Sequence, residues 1–434
     1  MSSSADAALK PARQAGMGFI MLAVLIDMIS IGLIIPVLPP LVGTFTHSDS
    51  EHVLAQLAVA AAFGVANFFG SPILGGLSDR FGRRRVMLIG FSGLALSFFV
   101  TGLATQLWML VAVRLFSGAM QSNIAIANAY VADITPPAQR AQRFGQLGAA
   151  FGMGFILGPV MGGLLGDPKT QFLQMADGHY LLQGSLHLPF MVAGTLAITN
   201  WCYGFFVLPE SLKPENRRPF DWRKANPLAA LSRVKALRGV GSLVYVIACS
   251  GLAQVVIQST WVLYTGQKFG WGPRDNGLSL LTVGLISVVV QGLLLKHIMR
   301  LLPVPRLIKL SLAISVFTQL VLGGATHGWM LYAALIAGFL GNAAQPAMQS
   351  LISKAASAHN QGETMGAISS LNSLMAVLAP ILGLGLMYLV AELPKTDWRV
   401  GAPFYFTAAL QAASLFFAWR YFASHPPETE AAPA

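Results

Sequence analysis

The strongest constraint on this 434-residue chain is a series of apolar runs that recur from end to end. Each run is about 20 residues long, the length that a helix needs to cross the hydrocarbon core of a bilayer. Only 10% of the residues are charged, far below the roughly 25% of soluble domains. The chain is therefore predicted to be an all-α membrane protein with twelve transmembrane helices. In order, the predicted spans one to twelve cover 17–42, 53–77, 86–104, 107–131, 144–166, 188–208, 240–264, 277–299, 306–324, 329–350, 364–389 and 402–422.

One long polar connection divides these spans six and six. It follows span six and is rich in Pro and Arg. Two six-helix halves joined in this way are typical of transporters built from repeats, with a site between the halves near the membrane midplane. The predicted organisation is a tail over 1–16, a first half over 17–208, a linker over 209–239, a second half over 240–422 and a tail over 423–434.

Basic residues are unevenly distributed between alternate connections. Of the 28 Lys and Arg residues, 22 fall on the side of the chain termini and 5 on the opposite side, with Arg114 inside a span. Because cytoplasmic loops carry the excess of Lys and Arg, both termini are predicted to be cytoplasmic. The net charge of +11 then reflects membrane topology, and no nucleic-acid partner is expected.

The connection between spans two and three carries the most specific motif, GGLSDRFGRRR, residues 75–85. Here the chain resembles the major facilitator superfamily, whose signature at this place is Gly-x-x-x-Asp-Arg-x-Gly-Arg-Arg. By this resemblance, the matching residues form a cytoplasmic latch that holds the outward-facing state shut from inside. They are Gly75, Asp79, Arg80, Gly82, Arg83 and Arg84. Asp133, at the inner end of span four, is the predicted partner of one of the arginines.

Span five contains a long glycine pattern, GQLGAAFGMGFILGPVMGG, residues 145–163. Small residues at such intervals let helices pack backbone to backbone, and a proline bends the span. Ordinary helix packing would explain this spacing too. The full pattern with Gly-Pro is similar to the antiporter motif of the same superfamily, which implies exchange transport. The residues that carry it are Gly154, Gly158, Pro159, Gly162 and Gly163.

Asp27 and Arg114 are the two charged residues placed well inside a predicted span. A charge at a helix centre costs about 2.5–3.5 kcal/mol, and such residues usually face a cavity or a transport pathway. Their depths are similar, so we expect them to meet within the first half. Burial favours a protonated carboxyl group, whereas a nearby cation favours the carboxylate. Asp27 is therefore the candidate proton carrier and Arg114 its counter-charge, although a purely structural ion pair is the alternative.

Several uncharged polar residues also lie within predicted spans. Individually, each is better explained as an interhelical hydrogen bond than as a ligand contact. Together with aromatic residues, they could line an amphipathic cavity. The candidates for substrate contacts are Asn67, Gln121, Gln258, Trp261 and Gln291.

Motifs along nearly the whole chain narrow the resemblance to the bacterial tetracycline-type drug/proton antiporters. They include LIDMISIGLIIPVLPPLV, SDRFGRRRV, LWMLVAVRLFSG and WVLYTGQKFGW. Three ionisable residues of the tetracycline exporters are replaced here, by Ser97, Ser287 and Ile314. This departure leaves the fold assignment intact but weakens the assignment of a metal–tetracycline chelate as substrate.

The resemblance implies proton-coupled efflux of a small amphipathic drug, such as a tetracycline or a similar compound, by alternating access. We expect a monomeric, multi-pass protein of the bacterial inner membrane that needs no cofactor besides the proton. The two cysteines and eight histidines do not predict a metal site, and no motif predicts an enzyme. A facilitative or proton-symport carrier of a metabolite is the alternative, and a channel or membrane scaffold is the alternative of another class.

Overall fold

The computed structural model describes residues 16–136, 139–174, 180–220, 243–348 and 361–424. Within them, helical segments follow all twelve predicted spans. The bounds for spans one to six are Met17–Ile34 with Leu38–Gly43, Asp49–Phe81, Arg83–Gly102, Leu107–Met120 with Asn123–Ile134, Arg140–Gly166, and Leu188–Phe206. Those for spans seven to twelve are Leu243–Phe269, Pro273–Val288 with Leu295–Leu301, Val304–Gly324, Gly328–Ala337, Gln361–Val390, and Ala402–Ser424.

Ten helices in the described part of the chain are long and apolar enough to cross a membrane. The helix of span six, Leu188–Phe206, is not among those ten, and Gly328–Ala337 of span ten is a shorter apolar helix. The protein is thus an all-α membrane protein, with one addition. A two-stranded antiparallel hairpin, β1 (Gln171–Gln174) and β2 (Tyr180–Gln183), lies in the connection between spans five and six.

The predicted tails and linker are only partly within the described residues. Residues 1–15 and 425–434 of the tails, and 221–242 around the end of the linker, lie outside them. The start of the linker is described up to residue 220 and contains a short 3-10 helix, Pro214–Asn216. We use "first half" and "second half" below for spans one to six and seven to twelve.

Four spans depart from regular α-helix. Span one is interrupted by a turn between Ile34 and Leu38. Span four is interrupted at Gln121 and Ser122. Span ten passes from α-helix into a 3-10 helix at Phe339–Ala343, and span eight contains a π-helical segment, Val289–Leu294. Irregular backbone at membrane depth is tolerated where it is buried in protein or lines a cavity. The interruptions of spans four and ten occupy corresponding places in the two halves, as expected of internal repeats.

Glycines on one face of span five bring its backbone against span one. A Cβ on Gly158 would lie 2.6 Å from the Cα of Gly32, and a Cβ on Gly154 would lie 2.5 Å from the Cβ of Met28. One turn further, a Cβ on Gly162 would overlap the carbonyl oxygen of Leu33. Only glycine permits this approach, so the small-residue spacing seen in the sequence is used for direct backbone packing.

The two halves contact each other on the side opposite the chain termini, which we call the distal side. There the backbone N–H of Ser50 donates to Glu392 across the halves, over 3.1 Å. Span five also meets span eight: a Cβ on Gly163 would lie 2.7 Å from the carbonyl oxygen of Pro273. Val53 of span two packs in the same buried apolar cluster as Leu263 of span seven. The distal side is therefore closed.

The side that carries the termini, which we call the terminal side, is more open. Gly145 and Gly152 precede Gly163 by five and about three helical turns, so all three lie on one face of span five. Yet a Cβ on Gly145 or Gly152 would meet no described atom within 4 Å, and the same holds for Gly292 of span eight. Among the described residues, spans five and eight thus separate toward the terminal side.

The tight contact of span five with span one generates a prediction. In Gly162→Ala, the added methyl group would overlap the Leu33 carbonyl oxygen, and overpacking of this kind costs about 1–3 kcal/mol. We expect a lower thermal unfolding temperature of the detergent-purified protein. Gly148→Ala is the matched control, because the added methyl group meets no described atom within 4 Å. Equal unfolding temperatures for the two variants would contradict the backbone contact.

Candidate functional site

Asp27 lies in the middle of span one with 4% of its surface exposed. Its hydrogen-bond partner is Asn123, whose amide nitrogen Nδ2 lies 3.3 Å from the carboxyl oxygen Oδ1. Asn123 is the first residue of the second helical piece of span four. The candidate proton carrier is therefore buried inside the first half and is linked to the interruption of another span.

Arg114 is also buried, with 9% of its surface exposed. Among the residues that the structure describes, it forms no ion pair, and its Nε has no hydrogen-bond partner. The guanidinium lies 5.9 Å from the ring centre of Phe63 on span two. Such a cation–π contact contributes about 0.5–2 kcal/mol, which is less than the roughly 2.5–3.5 kcal/mol cost of a charge at the centre of a membrane helix.

The structure therefore does not contain the expected meeting of Asp27 and Arg114, which are more than ion-pair distance apart in this conformation. Matching depths along two helices do not determine whether the side chains share a helix face. Asp27 is directed to the second piece of span four, whereas Arg114 belongs to the first piece and contacts span two. The two groups lie on opposite sides of the interruption in span four.

Asn67 and Gln121 are brought together at that interruption. Nδ2 of Asn67 donates to the backbone carbonyl oxygen of Gln121 over 2.7 Å and to that of Gly118 over 3.4 Å. These carbonyls belong to the end of the first helical piece, where helical N–H groups run out, although that of Gly118 also accepts the backbone N–H of Gln121 over 3.2 Å. Asn67 thus pairs carbonyl oxygens at the end of a broken helix. This is the interhelical hydrogen bond by which a polar residue within a span is ordinarily explained.

The remaining substrate candidates fall into two groups. The side chains of Gln258 and Gln291 are exposed, and Gln291 lies in the π-helical segment of span eight. Trp261, in contrast, is only 4% exposed, and its indole Nε1 donates to Ser279 Oγ over 2.9 Å. In this conformation Trp261 is a core residue whose N–H group is already paired, so its assignment as a substrate contact has no support here.

Arg83 is the centre of a polar network on the terminal side. Its Nη1 lies 2.5 Å from Asp79 and 2.7 Å from the hydroxyl of Ser78, and its Nε donates to Asp133 over 3.0 Å. Arg83 therefore joins the end of span two to the end of span four. Asp133 pairs with an arginine of the signature motif, and Arg83 is that arginine.

The turn between spans two and three depends on Gly82, which has a positive φ of 104°. A side chain there would be strained, and its Cβ would also overlap the Glu210 carboxylate. Glu210 follows span six and accepts a hydrogen bond from the backbone N–H of Arg83 over 2.8 Å. This residue extends the network to span six.

The other motif residues make local contacts. Arg84 donates to the carbonyl oxygens of Gly204 and Phe205 at the end of span six. The guanidinium of Arg80 lies over the ring of Phe81 at 5.1 Å. A Cβ on Gly75 would meet no described atom within 4 Å. In the described residues, the contacts of the motif thus stay within the first half and the start of the linker.

The start of the linker packs onto the motif. The backbone N–H of Arg218 donates to the carbonyl oxygen of Asp79 over 3.1 Å. A Cβ on Gly76 would lie 2.9 Å from the ring of Phe220, so the glycine leaves room for that ring. Ser211 Oγ donates to Asp133 over 3.1 Å. The first residues of the linker are thus attached to the first half.

Sequence reasoning missed two residues that complete these sites, Asn123 and Glu210. Asn123 was one of many polar residues within spans, and no pattern distinguished it as the partner of Asp27. Glu210 gave a clearer signal, because it is an acidic residue among the basic residues expected on the cytoplasmic side. Neither pairing follows from spacing, since each joins residues that are far apart in sequence.

Comparison with known proteins places these features in a family. The family model of the Major Facilitator Superfamily matches residues 20–380 and 305–434. The chain is 32% identical over 385 residues to the class C tetracycline resistance protein of Escherichia coli, covering 88% of this chain and 92% of that protein. It is 27% identical over 399 residues to multidrug resistance protein 2 of Bacillus subtilis, covering 90% and 91%.

A solved structure with the same fold is that of the nucleoside transporter NupG. It superposes with a TM-score of 0.70 at 13% sequence identity and covers 94% of this chain and 98% of its own. At this identity, the likeness concerns the fold alone.

The Arg83 network generates a second prediction. Arg83→Lys keeps the charge but cannot bond Asp79, Ser78 and Asp133 together, because lysine lacks the planar fork of arginine. We expect a loss of about 1–3 kcal/mol in unfolding free energy, read as a lower thermal unfolding temperature of the purified protein. Arg85→Lys is the control, since Arg85 is exposed. An unchanged Arg83→Lys protein would show that the network contributes little.

Proposed function

The chain belongs to the Major Facilitator Superfamily of membrane transporters, and on that premise we propose that it is a proton-coupled antiporter that exports small amphipathic compounds. The main support is the carboxyl group of Asp27, which is buried in a membrane-spanning helix and bonded to a single amide. An ionisable group at such a depth is a functional site by default. The names of the tetracycline and multidrug resistance relatives support export of drug-like compounds.

Asp27 is proposed to carry the proton. A carboxylate only accepts hydrogen bonds, whereas a protonated carboxyl group also donates one, and an asparagine amide can serve either as donor or as acceptor. The bond to Asn123 therefore allows Asp27 to change its protonation state without losing its partner. Arg114 lacks an ion-pair partner in this conformation and is proposed to stabilise the carboxylate in another step of the cycle.

The transport cycle follows from the opening on the terminal side. With both termini in the cytoplasm, as the distribution of Lys and Arg indicates, this conformation faces inward. Cargo enters from the cytoplasm or the inner leaflet, and Asp27 releases its proton. The two halves, residues 17–208 and 240–422, then rock about the bound cargo and open on the distal side. Cargo leaves, and a proton from outside returns the carrier to the inward-facing state.

The signature network is proposed to act in the outward-facing state. In the present conformation, Gly75 lies on an open surface of span two. When the terminal side closes, this surface and the motif residues around it meet the second half and hold the two halves together. Arg83, Asp133 and Glu210 keep the ends of spans two, three, four and six in place for that contact.

The nature of the cargo is proposed at the level of chemical class. Exposed amide side chains of Gln258 and Gln291 and the apolar surfaces around them suit an amphipathic compound. Ser97, Ser287 and Ile314 stand where the tetracycline exporters carry ionisable residues, which favours an organic compound that needs fewer charged contacts than a metal–tetracycline chelate. The proposed unit is a monomer in the bacterial inner membrane.

The proton role of Asp27 gives the third prediction. In proteoliposomes with an imposed proton gradient, Asp27→Asn should abolish gradient-driven transport, because an amide cannot carry a proton. Tetracycline and a panel of lipophilic drugs serve as test compounds. Counterflow between labelled and unlabelled compound should persist, since it needs binding and alternating access but no proton step.

Asp49→Asn is the control, because Asp49 is an exposed carboxylate at the distal end of span two. Full coupled transport by Asp27→Asn would refute the proposal. Gradient-driven uptake, or transport indifferent to the gradient, would favour the symport or facilitative carrier. Absence of saturable counterflow in the parent protein would favour a channel or scaffold.

A further inference from the structure

Asn123 lies where three spans of the first half meet. Its amide nitrogen donates to Asp27 of span one, and its own residue begins the second piece of span four. A Cβ on Gly90 of span three would overlap the amide oxygen Oδ1. The absence of a side chain at Gly90 is what leaves room for the amide. The side chain of Asn123 is itself 3% exposed.

Only the nitrogen of the Asn123 amide is hydrogen-bonded in the described residues. Its oxygen Oδ1 is buried and has no hydrogen-bond partner among the described residues, and the same is true of the hydroxyl of the preceding residue, Ser122. Buried polar atoms are nearly always paired, so each exception calls for a reason. An unpaired acceptor beside a carboxyl group suits a state in which that group is protonated and donates.

We propose that Asn123 is a positioning residue that senses the protonation state of Asp27 and links it to the interruption of span four. When Asp27 is a carboxylate, Nδ2 of Asn123 donates to it, as in the present geometry. When Asp27 is protonated, the amide turns and Oδ1 accepts the carboxyl O–H. The amide's N and O ends are nearly identical in shape, so this turn needs no extra volume. This inference rests on the proposed role of Asp27.

Because Asn123 lies at the interruption of span four, rotation of its amide would change the contacts of this interruption. On its other flank, Asn67 holds the carbonyl oxygen of Gln121 in place. One amide thus fixes the end of the first helical piece, while the other begins the second piece and is bonded to Asp27. A turn of the Asn123 amide changes the contacts at a joint that is not stabilised by continuous helical hydrogen bonds. Span four is therefore the element that would relay the proton step.

In the described part of the chain, no ionisable side chain bonds Asp27 in addition to the neutral amide of Asn123. Span one packs against spans four, five and six. Arg114 and Tyr130 of span four and Cys202 and Tyr203 of span six are the ionisable residues nearest to mid-depth on those helices, and none of them bonds Asp27. The hydroxyl of Tyr130 instead donates to the carbonyl oxygen of Pro209.

The test is an infrared pH titration of the purified protein without cargo. The carboxyl C=O band that disappears in Asp27→Asn reports Asp27 directly. In Asn123→Leu the amide is lost at similar volume. A hydrogen bond to a charged group is about twice as strong as one between neutral groups, so the carboxylate loses more than the protonated form. We expect the titration midpoint to move to higher pH by about one unit.

Asn128→Leu is the matched control, since Asn128 lies on the same helix and bonds the Ile124 carbonyl oxygen of its own helix. Gly90→Ala is a second variant, which displaces the amide while keeping Asn123 and should move the midpoint in the same direction. If Asn123→Leu does not fold, the titration midpoint of Gly90→Ala tests the role of Asn123. A midpoint equal to that of Asn128→Leu in the folded variants would overturn the inference.

The two proposals fail in different ways. If no carboxyl band is lost in Asp27→Asn, or that variant retains coupled transport, the proposed function itself fails. If Asp27→Asn loses both the band and the coupling while Asn123→Leu and Gly90→Ala titrate like the parent protein, the function stands and the role of Asn123 is refuted.

Discussion

A carboxyl group inside a membrane-spanning helix has to be either neutral or compensated, and the arrangement of the first half follows from this requirement. Asp27 is buried among apolar residues of span one and has one amide partner. The cationic residue of similar depth, Arg114, is directed elsewhere and is only partly compensated by Phe63. Two incompletely satisfied groups so close to one helix interruption are costly in hydrocarbon, and the proposed cycle would relieve this cost in another conformation.

Span five connects this region to the contact between the halves. One of its faces carries the glycines that pack directly on the backbone of span one, and another carries Gly163, which meets span eight. Backbone-to-backbone packing leaves few side-chain rotamers to adjust, so spans one and five form a rigid pair. Spans five and eight separate toward the terminal side, so in the proposed cycle the halves would pivot at their contact. A single helix thus joins the span of Asp27 to the interface between the halves.

Much of this could be predicted from local patterns. Apolar length gave the spans, the spacing of Gly, Asp and Arg gave the signature motif, and the buried charge singled out Asp27. What local patterns could not supply is the rotation of each helix about its own axis. That rotation decides that Asp27 faces Asn123 and not Arg114, that Trp261 is buried against Ser279, and that Glu210 reaches the turn at Gly82. The interruption of span four was missed as well, because it contains neither Gly nor Pro at Gln121 and Ser122.

The terminal-side network holds the helix ends of the first half together. Its residues come from the ends of spans two, three, four and six. Arg83 ties two of these ends through carboxylates, and Glu210 attaches the turn between spans two and three to the start of the linker. Because the linker begins as part of this network, any movement of the halves in the proposed cycle would act on the whole first half and not on span six alone. The rigid-body movement of the first half in the proposed cycle would require such a connection on the terminal side.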